Sequence, residues 1–112
     1  MKAVVTNAKL PGCLEIGEAA DPVADSNQAV IEVTAFSLNR GELRRAETAP
    51  GGTQIGWDLA GVVKTAARDG SGPGQGARVV GFSRRMQGWA QYVALPTVDF
   101  AVIPDAVSDN DA

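Results

Sequence analysis

A chain of 112 residues, 45% of them apolar, has room for one domain with one core that buries roughly two-thirds of the unfolded surface. Ten basic and thirteen acidic residues give a net charge of -3 with no long run of either sign, which excludes the clustered Lys and Arg of a nucleic-acid surface. One cysteine, no histidine and no apolar run longer than four residues exclude an intrachain disulfide, a Cys/His zinc centre and a membrane span.

Lys2-Ala3-Val4-Val5-Thr6 reads as a first strand, and Leu14-Glu15-Ile16 opens a second after the turn at Pro11-Gly12. Cys13 has no base or cation beside it in sequence to favour a thiolate, and reads as a small, partly buried apolar residue. Asp21-Pro22 and Asp25-Ser26-Asn27 make a polar connection to the longest extended segment, Ala29 to Phe36. Its residues Ala29, Ile31, Val33 and Ala35 form an apolar face; Val30, Glu32, Thr34 and Phe36 form a mixed one, as in a barrel wall. Asn39 is placed to cap a helix, with Glu42 three residues on reaching back to its backbone N–H; Pro50-Gly51-Gly52 ends that helix after Glu47.

Further strands are predicted over Leu59 to Ala66, Arg78 to Phe82, Trp89 to Leu95 and Phe100 to Ile103. The glycines of Asp69-Gly70-Ser71-Gly72-Pro73-Gly74-Gln75-Gly76 fit no phosphate-loop register, and Pro73 removes a backbone donor, so this stretch reads as a flexible turn. Ser108 and Asp111 have capping-box spacing at the start of another helix. Short strands punctuated by Gly and Pro predict a mainly β chain, a partly open barrel with one or two short helices, rather than βαβ units.

Three frames carry a resemblance: Gly56-Trp57-Asp58-Leu59-Ala60-Gly61-Val62-Val63, Gly74-Gln75-Gly76-Ala77-Arg78-Val79-Val80-Gly81, and Gly88-Trp89-Ala90-Gln91-Tyr92-Val93-Ala94-Leu95-Pro96. Together they resemble the N-terminal, GroES-like domain of the medium-chain dehydrogenase/reductase superfamily. Zinc-dependent members carry a His-Glu pair after the first glycine; here the pair is Trp57-Asp58, so the resemblance is to the zinc-free, quinone-oxidoreductase-like branch. It implies a GroES-like substrate domain over residues 1–105. Residues 106–112, after the Pro104-Asp105 of a Pro-Asp-x-x-Ser match, would begin the helix leading to an absent C-terminal Rossmann domain. The chain then looks like a fragment cut at a domain boundary.

The resemblance also assigns roles. Ser37-Leu38-Asn39-Arg40-Gly41-Glu42 is similar to the family's Gly-x-Asn-x-x-Asp pattern, which sets Asn39 at the cleft floor near nicotinamide and substrate. Its amide would donate to a carbonyl oxygen gaining negative charge, or serve only as a helix cap. Arg44 stands where relatives place a cofactor-touching tyrosine, which makes it a cofactor-binding candidate, and an exposed helix face is the commoner explanation. Trp57, Phe82, Met86 and Trp89 are candidates for an apolar substrate pocket, with the barrel core as the alternative. Arg84-Arg85 would hold a carboxylate or phosphate, or simply face solvent. Asp58 would pair with a nearby arginine.

The implied activity is hydride transfer from NAD(P)H to a quinone or other α,β-unsaturated carbonyl, without zinc, in the cytoplasm. The fragment alone would be inactive and would bind no cofactor tightly; monomer and homodimer both stay open for the full-length protein. A non-catalytic module of co-chaperonin type is the competing class, and it would need a long mobile loop between Ala46 and Ile55. A regulatory relative that kept the fold and lost activity is a third.

Overall fold

A computed structural model describes residues 1–112. Strands β1 (Lys2–Thr6) and β2 (Leu14–Glu18) pair as an antiparallel ribbon. Strands β3 (Gln28–Phe36), β4 (Asp58–Thr65), β5 (Arg78–Phe82), β6 (Tyr92–Pro96) and β7 (Phe100–Val102) form a second sheet in the order β6-β3-β4-β5-β7, antiparallel throughout. This sheet curls into a half-barrel, and the one α-helix, α1 (Arg40–Thr48), occupies the β3–β4 connection.

Alternation along the strands sets the core. Ala29 and Ile31 of β3 are fully buried against Leu59, Val63, Val79, Val93, Leu95 and Phe100. Each buried Leu, Ile, Val or Phe in that cluster contributes about 1.5–3 kcal/mol relative to exposure. A smaller cluster of Ala3, Val5 and Ala90 ties the ribbon to the half-barrel. The segment predicted as strand from Trp89 becomes β6 only at Tyr92. Residues Trp89 to Gln91 instead bridge the two sheets, since Val4 N–H donates to the Trp89 carbonyl and Gln91 N–H donates to that of Lys2. Cys13 is partly buried, as expected, but holds φ 61° inside a turn, a left-handed conformation rare for cysteine.

Ala46 to Ile55 is not the long loop a co-chaperonin would use. The helix takes its residues through Thr48, and the turn after it is tied to β1: Thr6 Oγ1 donates to the Pro50 carbonyl and Gly52 N–H to that of Thr6. No helix is long and apolar enough to cross a membrane.

At the C-terminal end Ser108 caps as expected, its Oγ accepting from Asp111 N–H, but the result is a single 3-10 turn, Asp109–Asp111. That turn is anchored by Asp109, which accepts from Thr34 Oγ1 and from Arg78 Nε at 2.9 Å and its terminal nitrogen at 2.7 Å. Hydrogen bonds from Thr34, then Arg78, hold the Asp109 carboxyl below its ordinary range. The folded state therefore binds this proton less well than the unfolded chain does. The stability this contributes is present above the unfolded pKa of about 3.9 and is lost as pH falls through the lower folded value. Asp109→Asn should lose about 1.5 kcal/mol at pH 7 in urea denaturation, and the gap to wild type should close as the solution is acidified.

Candidate functional site

The three residues after β3 and the first turn of α1 face the start of β4, and a polar cluster forms between them. Asn39 stands at the N-cap in an extended conformation, φ -124° and ψ 153°, with no cap hydrogen bond from its side chain to the helix. The capping interaction runs the other way: Glu42 Oε1 accepts from the Asn39 backbone N–H at 2.9 Å. The same oxygen accepts from Asn39 Nδ2 at 2.9 Å, and Glu42 Oε2 accepts from the Trp57 backbone N–H at 2.8 Å. Glu42 is fully buried without a cation, so these three N–H groups replace the water it has lost.

Asp58 does not make the arginine pair that its charge predicts. Its Oδ2 accepts from Asn39 Nδ2 and from Ser37 Oγ, each at 3.1 Å. Arg40, Arg44 and Arg45 lie on the exposed side of α1, and none makes an ion pair. Arg44 therefore reaches solvent rather than a partner within the chain.

The amide nitrogen of Asn39 is engaged within the chain. Two carboxylates accept from its amide nitrogen, which fixes the orientation of the carboxamide, because the opposite flip would set an oxygen against both anions. Both donors are engaged, and Oδ1, an acceptor, is the end that remains. An amide so held presents a fixed acceptor rather than a hydrogen-bond donor for a developing oxyanion.

Trp57 is fixed from three sides. Its N–H reaches Glu42, its carbonyl accepts from Ser83 N–H at 2.7 Å, and its ring lies so close over α1 that a Cβ on Gly41 would sit 2.6 Å from it. The indole stacks on Phe82, with centroids 6.5 Å apart and planes at 15°. Met86 follows in the turn closed by its N–H onto the Ser83 carbonyl, half-buried at φ 55°. Trp89 is different: 2% exposed, it stacks under Phe36 at 5.3 Å and donates Nε1–H to the Ser37 carbonyl. It supports the wall from behind.

The four pocket candidates do not enclose one pocket. Phe82 lines an open groove of about 490 Å³ with Val98 and Phe100, while Phe36 and Trp89 line another of about 520 Å³ with Ile16 and Val33. Beside the polar cluster, Ser37 and Asp58 line a smaller cavity of about 110 Å³ with Phe36, Leu59 and Asn110. Ligand sites for drug-sized molecules need about 300–1,000 Å³. The polar cluster and the Trp57–Phe82 stack thus form an open wall. Ser37 and the second function of Glu42 escaped sequence reasoning; the readable signal was Glu42 in capping-box register. In a quenching experiment with acrylamide, Trp57 should supply the accessible fluorescence and Trp89 the protected remainder. Trp57→Phe should abolish the accessible fraction; protection of both indoles would remove Trp57 from the wall.

No family model matches the chain, and no curated protein matches it. Solved structures do. The quinone oxidoreductase of Coxiella burnetii superposes with a TM-score of 0.86 at 23% identity, covering 100% of this chain and 39% of its own. The quinone oxidoreductase of Thermus thermophilus, solved also with NADPH, gives 0.74 at 25% identity, covering 97% and 34%. An NAD-dependent alcohol dehydrogenase gives 0.85 at 21%, covering 97% and 41%. This chain spans less than half the length of each. The fold resemblance drawn from the three glycine-punctuated frames is shown by these superpositions.

Proposed function

We propose, from the premise that this chain has the GroES-like fold of medium-chain dehydrogenases/reductases, that it forms the substrate-side wall of a zinc-free NAD(P)H-dependent reductase acting on quinones or other α,β-unsaturated carbonyls. The observation that carries the reading is the clamped carboxamide of Asn39 beside the Trp57–Phe82 stack.

The donor set does not fit zinc. Around Asn39 stand two carboxylates, a carboxamide, a hydroxyl and an indole ring, with neither imidazole nor thiolate; the one cysteine lies in the β1–β2 loop. Both carboxylates already accept from N–H groups, and Trp57 fills space over α1.

The residues do fit a nicotinamide. When bound, that cofactor supplies the hydride. Asn39 Oδ1 is a fixed acceptor suited to a carboxamide N–H or a hydroxyl, and its geometry is set before any ligand arrives. Trp57 and Phe82 supply a broad apolar face for a flat acceptor and exclude water from one side of it. Tight dinucleotide affinity is not assigned to these residues, because the chain contains no G-x-G-x-x-G register. Arg44, solvent-facing, carries no weight in this reading.

The test is an NMR titration of the chain with 2-cyclohexenone and with 1,4-naphthoquinone. Saturable shifts should centre on the Trp57 indole N–H, the Phe82 ring and the Asn39 carboxamide. Shifts confined to other faces would overturn the assignment.

A further inference from the structure

The glycine-rich turn between β4 and β5 contains Asp69-Gly70, the one place in the chain where an aspartate or asparagine precedes glycine. Such a pair is chemically labile. The glycine nitrogen can attack the aspartate Cγ and close a cyclic imide, because glycine has no side chain to shield that nitrogen. Both residues are exposed, and a Cβ on Gly70 would meet nothing within 4 Å, so no neighbouring segment crowds the ring that would close.

The turn is nevertheless tied down. Ser71 donates twice to Asp69 Oδ1, from its backbone N–H at 2.9 Å and from Oγ at 2.6 Å. With that hydroxyl proton committed to the carboxylate, the 2.8 Å contact between Ser71 Oγ and Thr97 Oγ1 has Thr97 as its donor. Thr97 opens the 3-10 turn before β7, so a distant segment of the fold braces the carboxylate through Ser71. Gly70 N–H is engaged as well, donating to the Ala67 carbonyl at 3.1 Å, and Asp69 N–H donates to that of Ser26 at 3.0 Å. Arg68 takes no part: its guanidinium donates to the Ala24 carbonyl and pairs with no acid.

These bonds oppose imide closure in two ways. Closure expels a carboxyl oxygen as water, which the protonated acid does far more readily than the carboxylate. The Ser71 hydroxyl, and after it the Ser71 N–H, hold the Asp69 carboxyl below its ordinary range and so keep it ionised. The same bonds fix the side chain toward residue 71 and restrain Cγ from turning onto the Gly70 nitrogen. We propose that Asp69 is a latent isoaspartate site, and that the Ser71–Thr97 hydroxyl pair is the lock that keeps it from isomerising. When the lock opens, the bond from Gly70 nitrogen to Asp69 Cγ forms and a Cγ–O bond breaks, releasing water. Water then opens the imide at the Asp69 backbone carbonyl carbon. The backbone now runs through the side chain, longer by a methylene and with a free α-carboxylate beside it, and water is the only co-reactant.

The test is incubation of the 112-residue chain in H₂¹⁸O at neutral pH, with peptide mass spectrometry of the segment around Asp69. Each imide opening leaves one ¹⁸O on residue 69, and fragmentation separates the β-linked product from the native one. Ser71→Ala should isomerise about fivefold faster than folded wild type and approach the rate of the same chain unfolded in urea. Thr97→Val keeps the side-chain volume and both Ser71 donors but removes the brace, and its rate should fall between the two. Melting temperatures close to wild type would show that both variants keep the fold. Wild type reacting as fast folded as unfolded would overturn the proposal. So would Ser71→Ala reacting no faster than folded wild type, or Thr97→Val matching wild type.

Discussion

Asn39→Asp is expected to destabilise the chain by roughly 3 kcal/mol at pH 7. The substitution preserves size and capping ability, so a plain N-cap would tolerate it. In this structure it replaces a double donor by a third carboxylate facing the buried Glu42 and the exposed Asp58. Two hydrogen bonds to anions are lost and like charges meet at hydrogen-bond distance. The introduced carboxyl must then have a folded pKa above its unfolded value of about 3.9. Between those values the native state binds more protons than the unfolded chain, so stability falls as pH rises and the deficit is greatest above the folded pKa. Urea denaturation of variant and wild type at matched pH should show the deficit shrinking toward pH 4. A variant as stable as wild type at pH 7 would mean that the amide is not held between carboxylates.

Gly56→Ala should be worse, by about 4 kcal/mol, combining overpacking with positive-φ strain. Gly56 has φ 117°, and a Cβ there would stand 2.3 Å from the Trp89 ring and 2.6 Å from the Trp89 backbone nitrogen. Trp89 cannot retreat, because it is buried under Phe36 and its N–H donates to the Ile55 carbonyl at 3.0 Å. For a domain of this size the melting temperature should fall by at least about 15 °C. Gly51→Ala is the control: it meets nothing within 4 Å, and its melting temperature should hardly change.

The strands were readable because their information is local. Alternation over Ala29 to Ala35 announced β3, and the bounds of β1 and β5 coincide with the predicted ones. Glu42 in capping-box register announced the start of α1. What the site does with those residues was not readable, because it depends on pairs distant in sequence. Register between β3 and β4 brings Ser37 and Asn39 to Asp58, and the path of the chain after α1 brings the Trp57 N–H to Glu42. Trp57 and Trp89 sit in similar Gly-Trp contexts, yet one is half-buried on a wall and the other is buried under Phe36. Cys13 and Met86 adopt positive φ where glycine or asparagine would be the usual signal. Asp58 invited an arginine by charge alone, and geometry supplied an amide and a hydroxyl instead.

A wall organised by a clamped carboxamide rather than by a metal is tested most directly at the Asn39 amide protons. In a ¹⁵N,¹³C-labelled sample, both should exchange slowly and show couplings across hydrogen bonds to the Glu42 and Asp58 carboxylate carbons, unaltered by an equivalent of zinc. A rapidly exchanging, uncoupled amide, or one displaced on adding zinc, would contradict the account.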